Sequence, residues 1–131
     1  AARQALVEQI RVGAEKAGGT AAKLGARLAK EIDKRRVSVA AWERDLMSLR
    51  YEGADMAPGP VRDAALAAYA AQVSAGVHLI AGAGNPDRAR ADVLRTLVAE
   101  ERMLRSERLG AEEKARAVAA VVAAREACAA R

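Results

Sequence analysis

The apolar residues of this chain recur at helical spacing from its first residues onward. In the segment 2–17 they recur at steps of four, four and three, which places them on one face of a helix: Leu6, Ile10, Ala14 and Ala17. Gly18 and Gly19 interrupt this pattern. Thr20 follows, and its hydroxyl can accept a hydrogen bond from a free amide in the first turn of the next helix. The pattern predicts a first helix over about 2–17.

The longest predicted helix covers about 21–50. Its inward positions alternate steps of four and three, which resembles a heptad seam: Ala21, Gly25, Leu28, Ile32, Arg35, Val39, Trp42, Leu46 and Leu49. Arg35 is the only charged residue on that seam. Ser38 can cap a new helix, so the segment is either one bent helix or two helices that separate there.

A loop and an apolar helix follow. Two prolines and two glycines in residues 51–60 exclude a continued helix, and Pro60 suits the first position of a helix over 61–81. Between Ala64 and Gly84 no residue carries a formal charge unless His78 is protonated. A helix that is apolar on all sides is buried or spans a membrane. We expect burial, because the stretch is mostly Ala and Gly and lacks the Leu and Ile density of a membrane span.

The last third of the chain predicts one or two further helices. Asn85 and Pro86 form a helix-start signal for a helix over about 86–109, whose inner side is assigned to six residues: Val93, Leu94, Leu97, Val98, Glu101 and Leu104. Another helix follows over about 111–129. Only Gly110 separates the two, and a glycine inside a helix costs only about 1 kcal/mol, so they could also be continuous. The whole pattern predicts an all-α fold, an up-and-down bundle of four to five helices in a single domain over residues 1–131.

Composition agrees with a soluble globular helical protein. The chain is rich in alanine, the best helix former, and its apolar and charged fractions of 52% and 30% exclude disorder. With three aromatic residues and no Phe, the core must be shallow. The single cysteine, Cys128, excludes an internal disulfide and a CxxC metal site, and we expect it to be an inert small hydrophobe rather than a nucleophile. The first residue is Ala1 rather than Met, so either a leader was cleaved after small residues or the chain was trimmed.

The net charge of +5 permits contact with nucleic acid, anionic lipid or an acidic protein. Basic residues form two rows opposite the apolar faces: Lys23, Arg27, Lys30 and Lys34 on the second predicted helix, and Arg88, Arg95 and Arg102 on the fourth. Such rows can neutralise phosphates or acidic side chains. They are equally typical of a solvated back face, because acidic residues interrupt them and because base stacking needs aromatic residues that this chain lacks.

One candidate ligand site centres on His78, the only histidine. A single histidine cannot build a histidine-based metal site. It could pair with Met47 or Met103 as haem ligands inside a bundle. Tyr69 lies two to three turns before it on the same helix and on the far face. An ordinary hydrogen-bonded histidine is the interpretation that we favour, and we expect no metal and no cofactor.

Catalytic patterns are absent from the sequence. GxSxG, the P-loop and GxGxxG do not occur, and a Cys128–His78 pair has no supporting residues. The acidic pairs Glu100–Glu101 and Glu112–Glu113 are typical of helix surfaces, except that Glu101 falls on an inner side, where it could pair with Arg35. We therefore expect no enzyme.

Three functions remain, in order of preference. The first is a non-enzymatic interaction module, namely an adaptor, a regulatory or sensory bundle, or a small subunit of a larger assembly, with another protein as its partner. The second is a nucleic-acid or other polyanion binder that uses the two basic rows. The third is a bundle that binds an apolar ligand or haem near Tyr69, His78 and Met103.

Overall fold

The computed structural model describes residues 8, 11, 12 and 38–130. Within 38–130 the chain forms four α-helices and no strand: α1 Val39–Asp55, α2 Pro60–Ala81, α3 Pro86–Ser106 and α4 Ala111–Ala129. The predicted all-α bundle is confirmed, with four helices. The predicted first helix and the first half of the second lie outside the described residues, except that residues 8, 11 and 12 are helical.

The helix α1 begins at its own cap. Ser38 has an extended backbone (φ −92°, ψ 145°), and its side-chain oxygen accepts a hydrogen bond from the Ala41 amide at 3.0 Å. A residue in that conformation cannot lie inside a helix. The second predicted helix therefore does not continue through Ser38, and its part before that residue lies outside the described residues.

The end of α1 corrects the predicted loop over 51–60. The helix continues to Asp55, so that only residues 56–59 connect it to α2. Gly53 lies inside the helix because the lack of a side chain lets α2 approach closely. A Cβ atom there would lie 3.2 Å from Leu66 Cδ2. The conformation that requires glycine occurs at Gly59, where φ is 153°.

The fourth and fifth predicted helices are separate. α3 ends at Ser106, three residues before the predicted end, because Glu107 turns to an extended conformation (φ −74°, ψ 152°). α4 starts after Gly110, whose amide donates to Glu113 Oε1 at 2.9 Å. This side-chain bond satisfies one of the free amides at the new helix end.

The apolar helix α2 lies at the centre of the bundle. It packs against each of the other three helices, whereas α1 and α4 do not approach each other. Thirteen of its 22 residues are buried, which confirms the predicted burial of this helix. By length and composition alone Pro60–Ala81 could also cross a membrane, yet 67% of its most apolar stretch is buried against the rest of the protein.

The closest approach in the core joins α1 to α2. A Cβ atom on Gly76 would lie 2.5 Å from Cζ2 of Trp42, so only glycine admits the indole at this position. The indole Nε1 donates to the main-chain oxygen of Gln72 at 2.7 Å. The Gln72 side chain is itself fully buried, and neither of its polar atoms has a hydrogen-bond partner within the described part of the chain.

Candidate functional site

A buried ionic cluster connects three helices near one end of the bundle. Arg50 of α1 donates through Nε to Glu100 Oε1 of α3 at 3.0 Å and through Nη1 to Glu107 Oε1 at 2.8 Å. The Tyr69 hydroxyl of α2 donates to the same Glu100 oxygen at 2.7 Å. The side chains of Arg50 and Glu100 are only 2% and 4% exposed. The cluster fixes the positions of α1 and α3 relative to each other and to the core.

Burial and charge act together on the protonation of this cluster. Burial raises the pKa of Tyr69 far above its usual value of 10, and the negative charge of Glu100 raises it further. Burial alone would lower the pKa of Arg50, but the hydrogen bonds to Glu100 and Glu107 and the charge of Glu100 outweigh it and raise that pKa. Tyr69 therefore stays neutral and Arg50 stays charged over the whole physiological range of pH.

A second buried arginine joins the loops at the same end. Arg62 donates through Nη1 to the Met56 carbonyl at 3.0 Å and through Nη2 to the Arg108 carbonyl at 3.2 Å. Its Nε lies 3.0 Å from Glu113 Oε2. The α1–α2 and α3–α4 loops are thereby held together, which shows that these helix ends lie side by side and that the helices alternate in direction.

A groove open to solvent runs between α1 and α3 above the ionic cluster. It encloses about 160 Å³, and the Arg50–Glu100 pair lies at its base. Six further residues line this α1/α3 groove: Glu43, Met47, Tyr51, Thr96, Ala99 and Met103. Met47, Tyr51 and Met103 are large apolar side chains that remain 41%, 55% and 36% exposed. Polar chemistry at the base and exposed apolar groups at the rim make it the best candidate for a binding surface in the described residues.

The Tyr51 ring is held in place although it is exposed. The guanidinium carbon of Arg50 lies 4.6 Å from the centre of the ring, which is the geometry of a cation–π contact. Because Arg50 is fixed in turn by Glu100 and Glu107, the ring is oriented by the same cluster that forms the base of the groove.

The three predicted arginines of α3 are exposed, and none of them lines the α1/α3 groove. Arg95 and Arg102 lie about one helical turn on either side of Ala99, whereas Arg88 lies near the start of the helix. Arg95 forms an ion pair with Asp92 at 3.1 Å. The predicted row of Lys23, Arg27, Lys30 and Lys34 lies outside the described residues.

Charge is divided unevenly along the chain. Residues 38–131 contain thirteen basic and thirteen acidic residues, so this part of the chain has no net charge. Residues 1–37 contain nine basic and four acidic residues and carry the entire surplus of +5. The row on α3 therefore belongs to a neutral bundle, whereas the row of Lys23, Arg27, Lys30 and Lys34 belongs to the basic part of the chain.

The residues of the predicted ligand site do not meet in one place. His78 follows Tyr69 by nine residues on α2, which separates them by about 14 Å along the helix and by half a turn around it. The Tyr69 hydroxyl is engaged by Glu100 in the core. Met103 lies in the α1/α3 groove together with Met47, and His78 does not line that groove.

The acidic residue buried on α3 is Glu100, and the predicted inner side was shifted by about one residue. Glu101 instead lies toward α4, where its carboxylate is 2.9 Å from Arg125 Nη1 and 3.3 Å from Arg105 Nη2. Its predicted partner Arg35 lies outside the described residues. Val98, also assigned to the inner side, is 44% exposed.

The described residues contain few other groups that could form a catalytic or metal-binding site. Cys128 is buried, and no group of three or more His, Cys, Asp or Glu side chains in this part of the chain is arranged to hold a metal ion. Comparison with known proteins gives no relative: the chain matches no family model, no curated protein and no solved structure.

Proposed function

We propose that this protein is a non-enzymatic interaction module that binds a partner protein in the α1/α3 groove. The observation that carries the proposal is the clustering of Met47, Tyr51 and Met103 around one groove. Exposed apolar side chains that are grouped in this way mark interaction surfaces, whereas scattered ones do not. Methionines adapt their shape to a partner, and an oriented aromatic ring provides an anchor of the kind that contributes most to binding energy.

The ionic cluster supports binding rather than catalysis. Each of its members is already engaged by another: Glu100 Oε1 accepts from both Arg50 and Tyr69. Groups that satisfy one another at the base of a groove keep its walls at a fixed spacing. A preformed groove reduces the conformational entropy that binding costs.

A second candidate function is polyanion binding through residues 1–37. The observation that favours it is the location of the whole +5 surplus in that part of the chain, including Lys23, Arg27, Lys30 and Lys34. Binding of this kind weakens steeply with salt. Replacing these four residues by Gln should abolish retention of nucleic acid, and unchanged retention would reject this candidate.

The groove proposal is tested by comparing two double variants in capture experiments from native lysate treated with nuclease. Met47→Gln/Met103→Gln removes two apolar groups from the groove at nearly constant shape. The matched control, Val61→Thr/Val98→Thr, changes two valines that are 58% and 44% exposed and do not line the groove. Circular dichroism confirms that both variants are folded.

We expect the groove variant to retain at least tenfold less partner protein than the unaltered chain, because both apolar contacts lie at the interface. The control variant should retain as much partner as the unaltered chain. Equal retention by both variants would contradict the proposal.

A further inference from the structure

We infer that the partner of the α1/α3 groove is a second copy of this chain, which packs its own α1 antiparallel against the first. This inference rests on the proposed function, because it identifies the partner of that same surface. It follows from the order of the exposed side chains along α1 and from the balance of charges around the groove.

One face of α1 is exposed along much of its length. At about 100° per residue, four exposed side chains lie within a sector of about 80° on the side of the helix opposite Trp42: Arg44, Met47, Tyr51 and Asp55. Met47 and Tyr51 line the groove, whereas Arg44 and Asp55 lie beyond them at the two ends. These four residues, which we call the α1 face, therefore combine an apolar centre with one basic and one acidic end.

An antiparallel second copy complements the α1 face. If a two-fold axis passes between residues 49 and 50, Arg44 of each copy lies level with Asp55 of the other, because both residues are about 8 Å from the axis. Met47 of each copy then lies within about 2 Å of the level of the other copy's Tyr51 ring. Methionine sulfur and aromatic rings attract each other, so the pairing forms two ion pairs around an apolar centre.

The unpaired charges around the groove are balanced, which disfavours a partner of a single sign. Two are basic, Arg44 and Arg102, and two are acidic, Glu43 and Asp55. None of these four forms an ion pair within the part of the chain that the structure describes. A strongly acidic or basic partner would be repelled by half of them, whereas an antiparallel copy places Asp55 opposite Arg44 twice. Complementary charges of this kind determine which partner binds.

The apolar centre of the interface is small. Each copy contributes Met47 and Tyr51 from α1 and Met103 from the α3 wall of the groove. Interfaces at the low end of the size range are weak and transient. We therefore expect a weak dimer, with a Kd on the order of 10–100 μM.

Charge reversal at either end of the α1 face gives a direct test. Arg44→Glu brings two acidic groups together at each end of the interface, and Asp55→Arg brings two basic groups together. Sedimentation equilibrium of the full chain at low salt should show that each variant dimerises at least tenfold more weakly than the unaltered chain. Arg116→Glu and Glu126→Arg make the same charge changes at exposed positions of α4, which does not contact α1, and should leave the Kd unchanged.

A mixture of the two single variants tests the antiparallel arrangement itself. In a mixed dimer, the reversed residue 44 of one copy faces the reversed residue 55 of the other, and the unaltered Asp55 faces the unaltered Arg44. Both ends of the interface then carry opposite charges again. The mixture should therefore dimerise about as tightly as the unaltered chain, although neither variant does so alone. Circular dichroism confirms that both variants are folded.

Three outcomes would overturn the inference. A chain that stays monomeric throughout the micromolar to millimolar range would reject a second copy as the partner, while the lysate comparison still judges the proposed function on its own. A dimer that neither single variant weakens would assign the contact to another surface. A mixture that dimerises no better than the single variants would reject the pairing of Arg44 with Asp55.

Discussion

At Arg50 a charged group lies in the protein interior, held by Glu100 and Glu107. Removing one partner of a buried ion pair leaves the other charge without compensation, which typically costs about 3–5 kcal/mol. We therefore expect Arg50→Met to lower the free energy of unfolding by that amount. The double variant Arg50→Met/Glu100→Met removes both charges of the buried pair and should recover part of the loss, because it also leaves the buried Tyr69 hydroxyl without its acceptor. Urea denaturation measures both values, and a double variant no more stable than the single one would contradict the account.

Tyr69 couples stability to alkaline pH. Because burial and Glu100 raise its pKa, the folded chain keeps the phenolic proton at a pH where the unfolded chain releases it, above about 10. The contribution of Tyr69 to the free energy of unfolding is thus fully present below pH 10. It then declines by up to about 1.4 kcal/mol per pH unit as the pH rises toward the folded-state pKa.

The variant Tyr69→Phe isolates this effect. It should be less stable at pH 7 by about 1.5–3 kcal/mol, because the hydrogen bond to the Glu100 carboxylate is lost. Between pH 10 and 12 the difference in the free energy of unfolding between this variant and the unaltered chain should become smaller. Urea denaturation across this range measures it, and a difference that stayed constant would show that Tyr69 ionises normally in the folded protein.

Gln72 is a further buried polar residue, and its side-chain atoms have no partner in the described residues. An unsatisfied buried polar group costs about 1–3 kcal/mol. Methionine has nearly the same shape without the amide, so Gln72→Met should raise the free energy of unfolding by about 1 kcal/mol. A lower stability of this variant in thermal unfolding would mean that the Gln72 amide makes a stabilising hydrogen bond.

The residues that sequence reasoning located correctly are those with local functions. Ser38 and Asn85 were recognised as caps because a cap bonds to an amide only three residues away. Glu100 was assigned to the surface although it is buried. Its partners Arg50 and Tyr69 lie 50 and 31 positions earlier in the chain, and only the packing of three helices brings them together.

Among the elements, the contact between α1 and α2 depends on a glycine. At Gly76 alanine would gain about 1 kcal/mol of helix propensity, but its Cβ would lie 2.5 Å from the Trp42 ring. Overpacking of a core typically costs about 1–3 kcal/mol, so Gly76→Ala should lower the melting temperature. Gly82→Ala is the control, because the space around that position is open. A melting temperature for Gly76→Ala at or above that of the control would contradict the close packing.

The sequence predicts a helix boundary correctly where a local signal, such as a proline, sets that boundary. It does not where tertiary packing sets the boundary. Pro60 and Pro86 begin α2 and α3 as expected. The end of α1 was misplaced because Gly53 is a helix breaker in isolation and a close-packing residue against Leu66. The predicted inner side of α3 differs from the observed one by about one residue, because Thr96 and Glu100 are buried although their side chains are polar.

On the scale of the whole molecule, the central position of α2 could be predicted from its uniformly apolar sequence. The α1/α3 groove could not, since it depends on how the described helices pair, with α4 packing on α2 and α3 but not on α1. Hydrophobic periodicity indicates which face of each helix is buried, but it does not indicate which helices pack against each other. Of the residues that line the groove, the sequence therefore indicates only Met47 and Met103 as candidate site residues, and it indicates them for a haem ligand rather than for a shared surface.

Site-specific photo-crosslinking tests the groove as a partner-binding surface most directly. A photoreactive benzoylphenylalanine replaces Tyr51 in the groove or, in a second protein, Val61 on α2, and both are illuminated in native lysate. Both positions are more than half exposed, so they differ in location rather than in accessibility. We expect a discrete crosslinked protein from position 51 and none from position 61. The same products from both positions, or none from position 51, would contradict it.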